Sequence, residues 1–215
     1  MRIGSVDVAA QLHLLIDRAA PRDWHLEVAP STLPNSGDGV FIRGCCEAGT
    51  VLTLYAGLVF AVEDLPVMHT LVLPENEYVM ARRDGVLIDG RCYGMTAKLR
   101  ATACARDAAA GSASLAADAV GAELACGSKV NHPNAGTRPN VVVEPFDLLP
   151  EEHRDLHHFV PTVQFRPPAP GCPAKQTVAL VSARPLRDEE LFLDYKLDPN
   201  GPLESWYTPV DPEPG

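Results

Sequence analysis

The sequence predicts a single domain that is mainly β with short helices, an α+β fold. A chain of 215 residues is long enough to bury one hydrophobic core and short for two. Its 20 prolines and 16 glycines favour many turns and short strands over a bundle of helices. Short apolar runs lie between these turns, and no linker separates two candidate cores.

The first elements are predicted from the periodicity of the apolar residues. Apolar residues at helical spacing predict an amphipathic helix over residues 5–19, which Pro21 stops. Alternating apolar residues predict a strand at 24–28, and the Ser, Pro, Asn and Gly of 31–39 predict a turn region. Further strands are predicted at 40–43, 50–55, 57–62, 141–143 and 176–182, and residues 84–90 predict a short strand between two Asp/Gly turns.

Two later segments differ in composition from the rest. Residues 96–126 are rich in alanine, which favours helix, whereas Gly111 and Gly121 interrupt any long helix. We expect one or two short helices there, and a low-complexity loop is the alternative. Residues 144–175 hold many prolines and predict a long connection with a helical turn near 151–158.

The charge balance and the N-terminal composition limit the classes of partner. The net charge is −10 and no Lys/Arg cluster is visible, so direct nucleic-acid binding is not expected. The acidic balance is compatible with a basic peptide partner, although acidic surfaces mostly serve solubility. Residues 1–20 contain Asp7 and Asp17 and lack a continuous apolar core, so neither a signal peptide nor a membrane span is predicted. We expect an intracellular protein, and nuclear and cytoplasmic locations both fit.

The cysteines and histidines do not predict a metal site. The six cysteines form no C-x-x-C pair, so structural zinc is not expected. Because nothing looks secretory, disulfides are not expected either, and we interpret the cysteines as buried thiols of a reduced protein. His153 and His157 have metal-ligand spacing on a helix, but no carboxylate or cysteine completes a site. A solvated helix face is the better interpretation.

Three segments carry residues that could do chemistry. The two glycines of Gly37-Asp38-Gly39 allow the backbone to turn tightly and approach a ligand. No third glycine follows and a strand comes next, so this is no dinucleotide fingerprint, and alone it predicts a plain β-turn. Asn131-His132 alone is usually a turn or a capped helix end.

The third segment is Arg187-Asp-Glu-Glu-Leu-Phe-Leu-Asp-Tyr195, an acidic turn that leads into a short apolar strand. On its own, Tyr195 is interpreted as a core tyrosine with a satisfied hydroxyl. Glu189 and Glu190 precede the strand and are interpreted as turn and salt-bridge residues rather than as a catalytic acid and base.

Taken together and in order, four segments resemble the motifs of the SET domain, the β-rich fold of S-adenosylmethionine-dependent protein lysine methyltransferases. These segments are 33–41, 54–57, 130–132 and 187–195, and the resemblance covers 26–207. The long spacer after the Asn-His pair and the segment Asp84–Gly90 resemble one branch of the family, the proteins called SET domain-containing protein nine.

The resemblance implies a SET domain (β-clip): small curved β-sheets, a threaded-loop, knot-like C-terminal region and an α-helical insertion. It also implies a division of the chain. An N-terminal helix in 1–23 would pack on the domain, residues 24–197 would form the SET domain with an insertion at about 64–128, and 198–215 would close the lysine channel.

The resemblance also implies the site residues. Gly37, Asp38, Gly39, Asn131, His132 and Tyr195 would bind the cofactor, S-adenosylmethionine. Tyr195 and Tyr55 would be catalytic, and Tyr55, Trp206 and Tyr207 would line the substrate channel. Simple core packing is an equal alternative for Tyr55, and pinning of the C-terminal tail is an equal alternative for Trp206.

The chemistry implied is transfer of a methyl group to a lysine of a protein or peptide substrate, histone or non-histone. A lysine ammonium must lose a proton before it can attack, and a tyrosine hydroxyl at a strand end can orient the resulting amine. The sulfonium supplies the electrophile, so no metal is needed, and no cysteine after Cys172 could build the zinc cluster of some relatives.

The sequence departs from the family pattern at two places. Pro133-Asn134 stands where the family usually has Ser-Cys, and Asp188 stands where it often has glycine. These departures keep open an alternative function, a catalytically inactive SET module that binds a protein or peptide.

Overall fold

The computed structural model describes residues 6–17, 20–73, 76–109, 119–197 and 207–210, and within them the chain is built from ten strands and four α-helices. The helices are α1 (Val8–Ile16), α2 (Leu65–Leu71), α3 (Gly94–Ala109) and α4 (Ala119–Leu124). The strands are β1 (Trp24–Pro30), β2 (Asp38–Cys46), β3 (Val51–Leu54), β4 (Leu58–Phe60), β5 (Val79–Ala81), β6 (Leu87–Asp89), β7 (Val141–Leu148), β8 (Val163–Gln164), β9 (Lys175–Ser182) and β10 (Leu186–Arg187). The prediction of a mainly β fold with short helices is confirmed.

The strands form three small sheets, with orders β1-β2-β10, β3-β9-β7 and β5-β6-β4-β8. All pairs are antiparallel except β4 with β8. Short strands joined by turns can make such sheets without the long crossovers that parallel strands need. This agrees with the high proline and glycine content of the sequence.

The helix α1 packs on the sheet β3-β9-β7. Asp7 caps its N-terminus, because the Oδ1 atom accepts a hydrogen bond from the backbone N–H of Ala10 at 3.0 Å. Leu12 is 1% exposed and packs with Leu54 and Leu156 in one hydrophobic cluster. The helix ends at Ile16, three residues earlier than predicted, because the next residue is extended, so Pro21 is not what stops it.

A second hydrophobic cluster lies beneath the segments singled out by the sequence motifs. It includes Val40 and Ile42 of β2, Leu180 of β9, and Tyr55, all of them buried. Tyr195 is partly buried and packs against the same cluster. The core therefore supports the motif segments directly.

The helices predicted within 96–126 are present in the described part of the chain, whereas some details of the middle of the chain differ from the prediction. A loop at 96–126 is excluded over the described part, because α3 runs unbroken for 16 residues of mostly strong helix formers. Gly121 lies inside α4 rather than ending it, and Gly111 falls outside the described residues. The strand predicted at 141–143 continues to Leu148 through Pro145, which β7 tolerates because it lies at the edge of its sheet.

The cysteines are less buried than predicted. Cys46 and Cys126 are buried, whereas Cys92, Cys104 and Cys172 are exposed free thiols on α3 or on loops. No group of three or more His, Cys, Asp or Glu in the described part of the chain could hold a metal ion. Of the helices that the structure describes, none is both long enough and apolar enough to cross a membrane.

Candidate functional site

Three chain segments far apart in sequence meet at one place. The Asn131 side chain donates from Nδ2 to the backbone oxygen of Asp38 at 3.0 Å, and Lys129 Nζ lies 2.6 Å from Asp38 Oδ2. The backbone N–H of Tyr195 donates to His132 Nδ1 at 3.2 Å. The glycine turn, the Asn-His pair and the tyrosine therefore converge, as the resemblance implied.

The segment that leads to Tyr195 lies between two other parts of the chain. Leu191 donates from its backbone N–H to Val40 O at 2.7 Å, and Leu193 donates to Asn131 O at 2.9 Å. On the other side, Asn140 donates to Phe192 O at 3.0 Å. Because successive residues bond to different neighbours, 190–193 forms isolated bridges rather than the regular strand predicted from its apolar run. The loop that connects Asn131 to Asn140 begins and ends beside this segment, because both residues bond to it.

The two glycines of the turn have different surroundings. Gly37 has φ +64°, and a Cβ atom placed on it would have no atom within 4 Å. A Cβ atom on Gly39 would lie 2.2 Å from Glu190 Oε1. Open space beside the backbone is therefore found at Gly37, whereas Gly39 makes room for a carboxylate of the protein itself.

His132 is buried and both ring nitrogens have partners. Nε2 donates to the backbone oxygen of Thr208 at 2.8 Å, while Nδ1 accepts from Tyr195 N. These partners assign the neutral tautomer with its proton on Nε2. The ring of Tyr207 stacks on the imidazole with centroids 4.4 Å apart. Residues 207–210 therefore cover the His132 side chain.

The hydroxyl of Tyr195 donates to the backbone oxygen of Val130 at 2.9 Å. Burial raises the pKa of Tyr195 to about 12, and the pKa of Tyr55 is also raised, chiefly by burial. Both phenols therefore stay protonated at neutral pH. A protonated hydroxyl that already donates its proton can still accept a hydrogen bond through a lone pair.

Tyr55 lies at the end of β3 with 6% of its surface exposed. Its ring packs against the backbone at Gly90, where an added Cβ would be 3.0 Å from Tyr55 Cε1. This contact fits the packing alternative, and Tyr195 packs against the same hydrophobic cluster as Tyr55.

Sequence reasoning missed two residues at this place. Glu190 was interpreted as a turn or salt-bridge residue, but it is 5% exposed and its carboxylate accepts hydrogen bonds from Ser31 and Thr32. It is the neighbouring Glu189 that forms the ion pair, with Arg184. Nothing local distinguishes two adjacent glutamates, because the partners of Glu190 are 158 or 159 residues away in the chain.

Tyr78 is the second missed residue. Its backbone oxygen accepts from the N–H of Gly90 at 2.8 Å, and its ring meets that of Tyr93 edge to face, with centroids 6.2 Å apart. Its phenol contributes to the raised pKa of Tyr195. The sequence around Tyr78 contains no motif that would mark this tyrosine as part of a site.

The predicted channel residues are only partly accounted for. Trp206 lies outside the described residues. Tyr207 contacts His132, so it lies beside the Asn-His pair. His153 and His157 do not form a solvated helix face, because each bonds to the backbone of Leu149 within a series of turns. The roles assigned to all these residues stay predictions.

No model of a known protein family matches the chain, and no curated protein sequence matches it. Among solved structures, the crystal structure of KRYPTONITE in complex with mCHH DNA, an H3(1–15) peptide and SAH is similar to the structure of this chain. The TM-score is 0.42 and the sequence identity 16%, and the match covers 82% of this chain and 24% of that chain. The chain therefore spans only a minor part of that protein.

Proposed function

We propose that this chain is a SET-type domain that transfers a methyl group from S-adenosylmethionine to a lysine of a protein substrate. The observation that carries the proposal is the meeting of the three motif segments, with Asn131 bonded to Asp38 and Tyr195 bonded to His132. We further propose an intracellular protein of the branch called SET domain-containing protein nine.

The residues present fit the cofactor. Open space beside Gly37 allows a ligand to approach the backbone, and Asn131 holds one wall of that space against Asp38. S-adenosylmethionine, when bound, would supply an electrophilic methyl group on a positively charged sulfur. Gly37, Asp38, Gly39 and Asn131 would hold it, while His132 would orient the backbone of Tyr195.

The tyrosines would act as neutral groups. Because burial keeps the pKa of Tyr195 high, its hydroxyl cannot take the proton of the lysine ammonium at neutral pH. The proton would leave to water, and Tyr195 would accept a hydrogen bond from the neutral amine and hold it in line for attack. Tyr55 would narrow the space beside it.

Calorimetric titration with S-adenosylmethionine tests the cofactor site. We expect the native chain to bind and Asn131→Ala to bind at least tenfold more weakly, roughly the effect of one lost hydrogen bond. Asn134→Ala is the matched control, because Asn134 is exposed and bonds only to Thr137 in its own turn among the described contacts. No heat of binding in the native chain would defeat the proposal.

The substrate can be found with the same protein. The chain is incubated with isotopically labelled S-adenosylmethionine and a cell lysate, and modified proteins are mapped by mass spectrometry. Label on lysine side chains supports the proposed reaction, whereas label confined to other residue types contradicts it.

One observation favours the alternative, a SET module without catalytic activity that binds a protein or peptide. The His132 side chain, predicted to bind cofactor, is covered by Tyr207 and bonded to Thr208. A binding module would be indifferent to loss of the Tyr195 hydroxyl, whereas a methyltransferase would not be.

A further inference from the structure

Glu190 lies at the contact between two walls of the proposed cofactor site. Its Oε1 occupies the place that a Cβ atom on Gly39 would take, and the Nδ2 atom of Asn131 lies 3.5 Å from the same oxygen. The carboxylate therefore touches both the glycine turn and the asparagine.

Among the described residues, the hydrogen-bond donors to this carboxylate are neutral. Ser31 Oγ donates to Oε1 at 2.6 Å, and the backbone N–H of Thr32 donates to Oε2 at 2.8 Å. The hydroxyl of Thr32 also donates to Oε2. These bonds satisfy the oxygens but do not cancel the charge.

No cationic partner is present for Glu190 in the described part of the chain, where each ion pair involves other acids. Glu189, next in sequence, pairs with Arg184. Holding a carboxylate at 5% exposure without a counter-charge costs free energy. A cation bound close to this carboxylate would lower that cost.

We infer that Glu190 is the residue by which this chain prefers cationic S-adenosylmethionine over its neutral product, S-adenosylhomocysteine. The inference rests on the proposed function. The two ligands share the adenosine and amino-acid groups, so contacts to those groups favour neither. They differ by one methyl group and one positive charge at sulfur.

The preference follows the charge balance of the transfer. A bond forms between the substrate nitrogen and the methyl carbon, and the methyl–sulfur bond breaks with its electron pair remaining on sulfur. The sulfonium becomes a neutral thioether, and the substrate amine gains the positive charge. The attraction to Glu190 is therefore lost from the spent ligand, which favours its release.

Calorimetry with both ligands on native protein and Glu190→Gln tests the inference. The substitution keeps the size of the side chain and removes its charge. We expect the affinity for S-adenosylmethionine to fall on the order of tenfold more than that for S-adenosylhomocysteine. Glu63→Gln, which removes an exposed carboxylate after β4, should leave the ratio of the two affinities unchanged.

The outcomes separate the inference from the function. If the native chain binds neither ligand, the proposed function fails. If it binds both and Glu190→Gln weakens both by the same factor, Glu190 is merely structural and this inference alone is overturned. Circular dichroism confirms that each variant is folded before titration.

A second variant tests the inference in case Glu190→Gln does not fold. Ser31→Lys leaves the carboxylate in place and adds a cationic side chain at a residue whose Oγ now lies 2.6 Å from Oε1. Because this ammonium neutralises Glu190, it should weaken S-adenosylmethionine binding selectively. Equal weakening of both ligands would overturn the inference.

Discussion

At the scale of single residues, burial decides what the ionisable side chains can do. Tyr195 keeps its proton at neutral pH because its phenol is buried. Lys175 is buried as well, and its Nζ donates to the backbone oxygens of His157 at 2.7 Å and Val160 at 2.8 Å. One residue stands at the proposed site and the other far from any motif, and each gives a separate prediction.

The Tyr195 hydroxyl is expected to matter for transfer and little for cofactor binding. Its bond goes to Val130 O rather than to the glycine turn. Tyr195→Phe should reduce methyl transfer to lysate proteins on the order of a hundredfold or more, as loss of one preorganised polar group does. Binding of S-adenosylmethionine should change less than threefold.

The control for that experiment is Tyr93→Phe, because Tyr93 is 57% exposed. Labelled transfer and calorimetry are measured on both variants. Full transfer by Tyr195→Phe would argue for a binding module.

Lys175 should make the stability of the protein rise with pH. Burial lowers its pKa from 10.5 to about 8, so between these values the unfolded chain binds a proton that the folded chain has released. The free energy of unfolding therefore increases as pH rises through this interval, by on the order of 3 kcal/mol at most.

The test of this pH dependence is thermal unfolding between pH 7 and 10.5. Lys175→Met should remove most of the rise in midpoint temperature, while Lys98→Met, on the exposed surface of α3, should keep it. An unchanged profile in the methionine variant at position 175 would show that another group is responsible.

At the scale of elements, α1 offers a matched pair of leucines. Leu12 is 1% exposed in the cluster below α1, and Leu14 on the same helix is 59% exposed. Leu12→Ala should lower the free energy of unfolding by about 2–5 kcal/mol through the cavity it leaves. Leu14→Ala should change it by less than about 0.5 kcal/mol in urea titrations. Equal effects would mean that α1 does not pack as described.

Periodicity predicted those elements whose residues share one environment. The strands β1 and β9 were predicted within two residues of their ends, because each has one or two consistently packed neighbours. The segment 190–193 could not be predicted in this way, since each residue bonds to a different part of the chain. The second half of β7 was not predicted because it contains Pro145. A proline argues against a central strand, but an edge strand such as β7 tolerates it.

At the scale of the whole molecule, the site exists only when the chain is folded. Residues near 38, 131 and 195 meet there. Local sequence pattern could not predict this meeting, which was expected only from the resemblance of the ordered motifs to a known family. Glu190 shows the limit of that approach: the motifs did not indicate that its carboxylate bonds to Ser31 and Thr32, so its burial was not predicted.

Binding at a place built from distant segments should stabilise the entire fold. At a concentration 100 times its Kd, S-adenosylmethionine should add about 2.7 kcal/mol to the free energy of unfolding. The midpoint of thermal unfolding should rise accordingly in the native chain and by about half as much or less in Asn131→Ala. Methionine alone is the control ligand, and an equal rise with methionine would contradict the proposed site.

The two glycines of the turn at 37–39 differ in what a side chain at each position would displace. At position 37 one side of the backbone is open, so an added methyl group would mainly disturb the proposed ligand and the left-handed backbone. At position 39 the space is already taken by Glu190, so the same methyl group would dislodge the protein's own acid. Alanine substitutions at the two positions would therefore separate loss of ligand binding, expected at position 37, from loss of fold stability, expected at position 39.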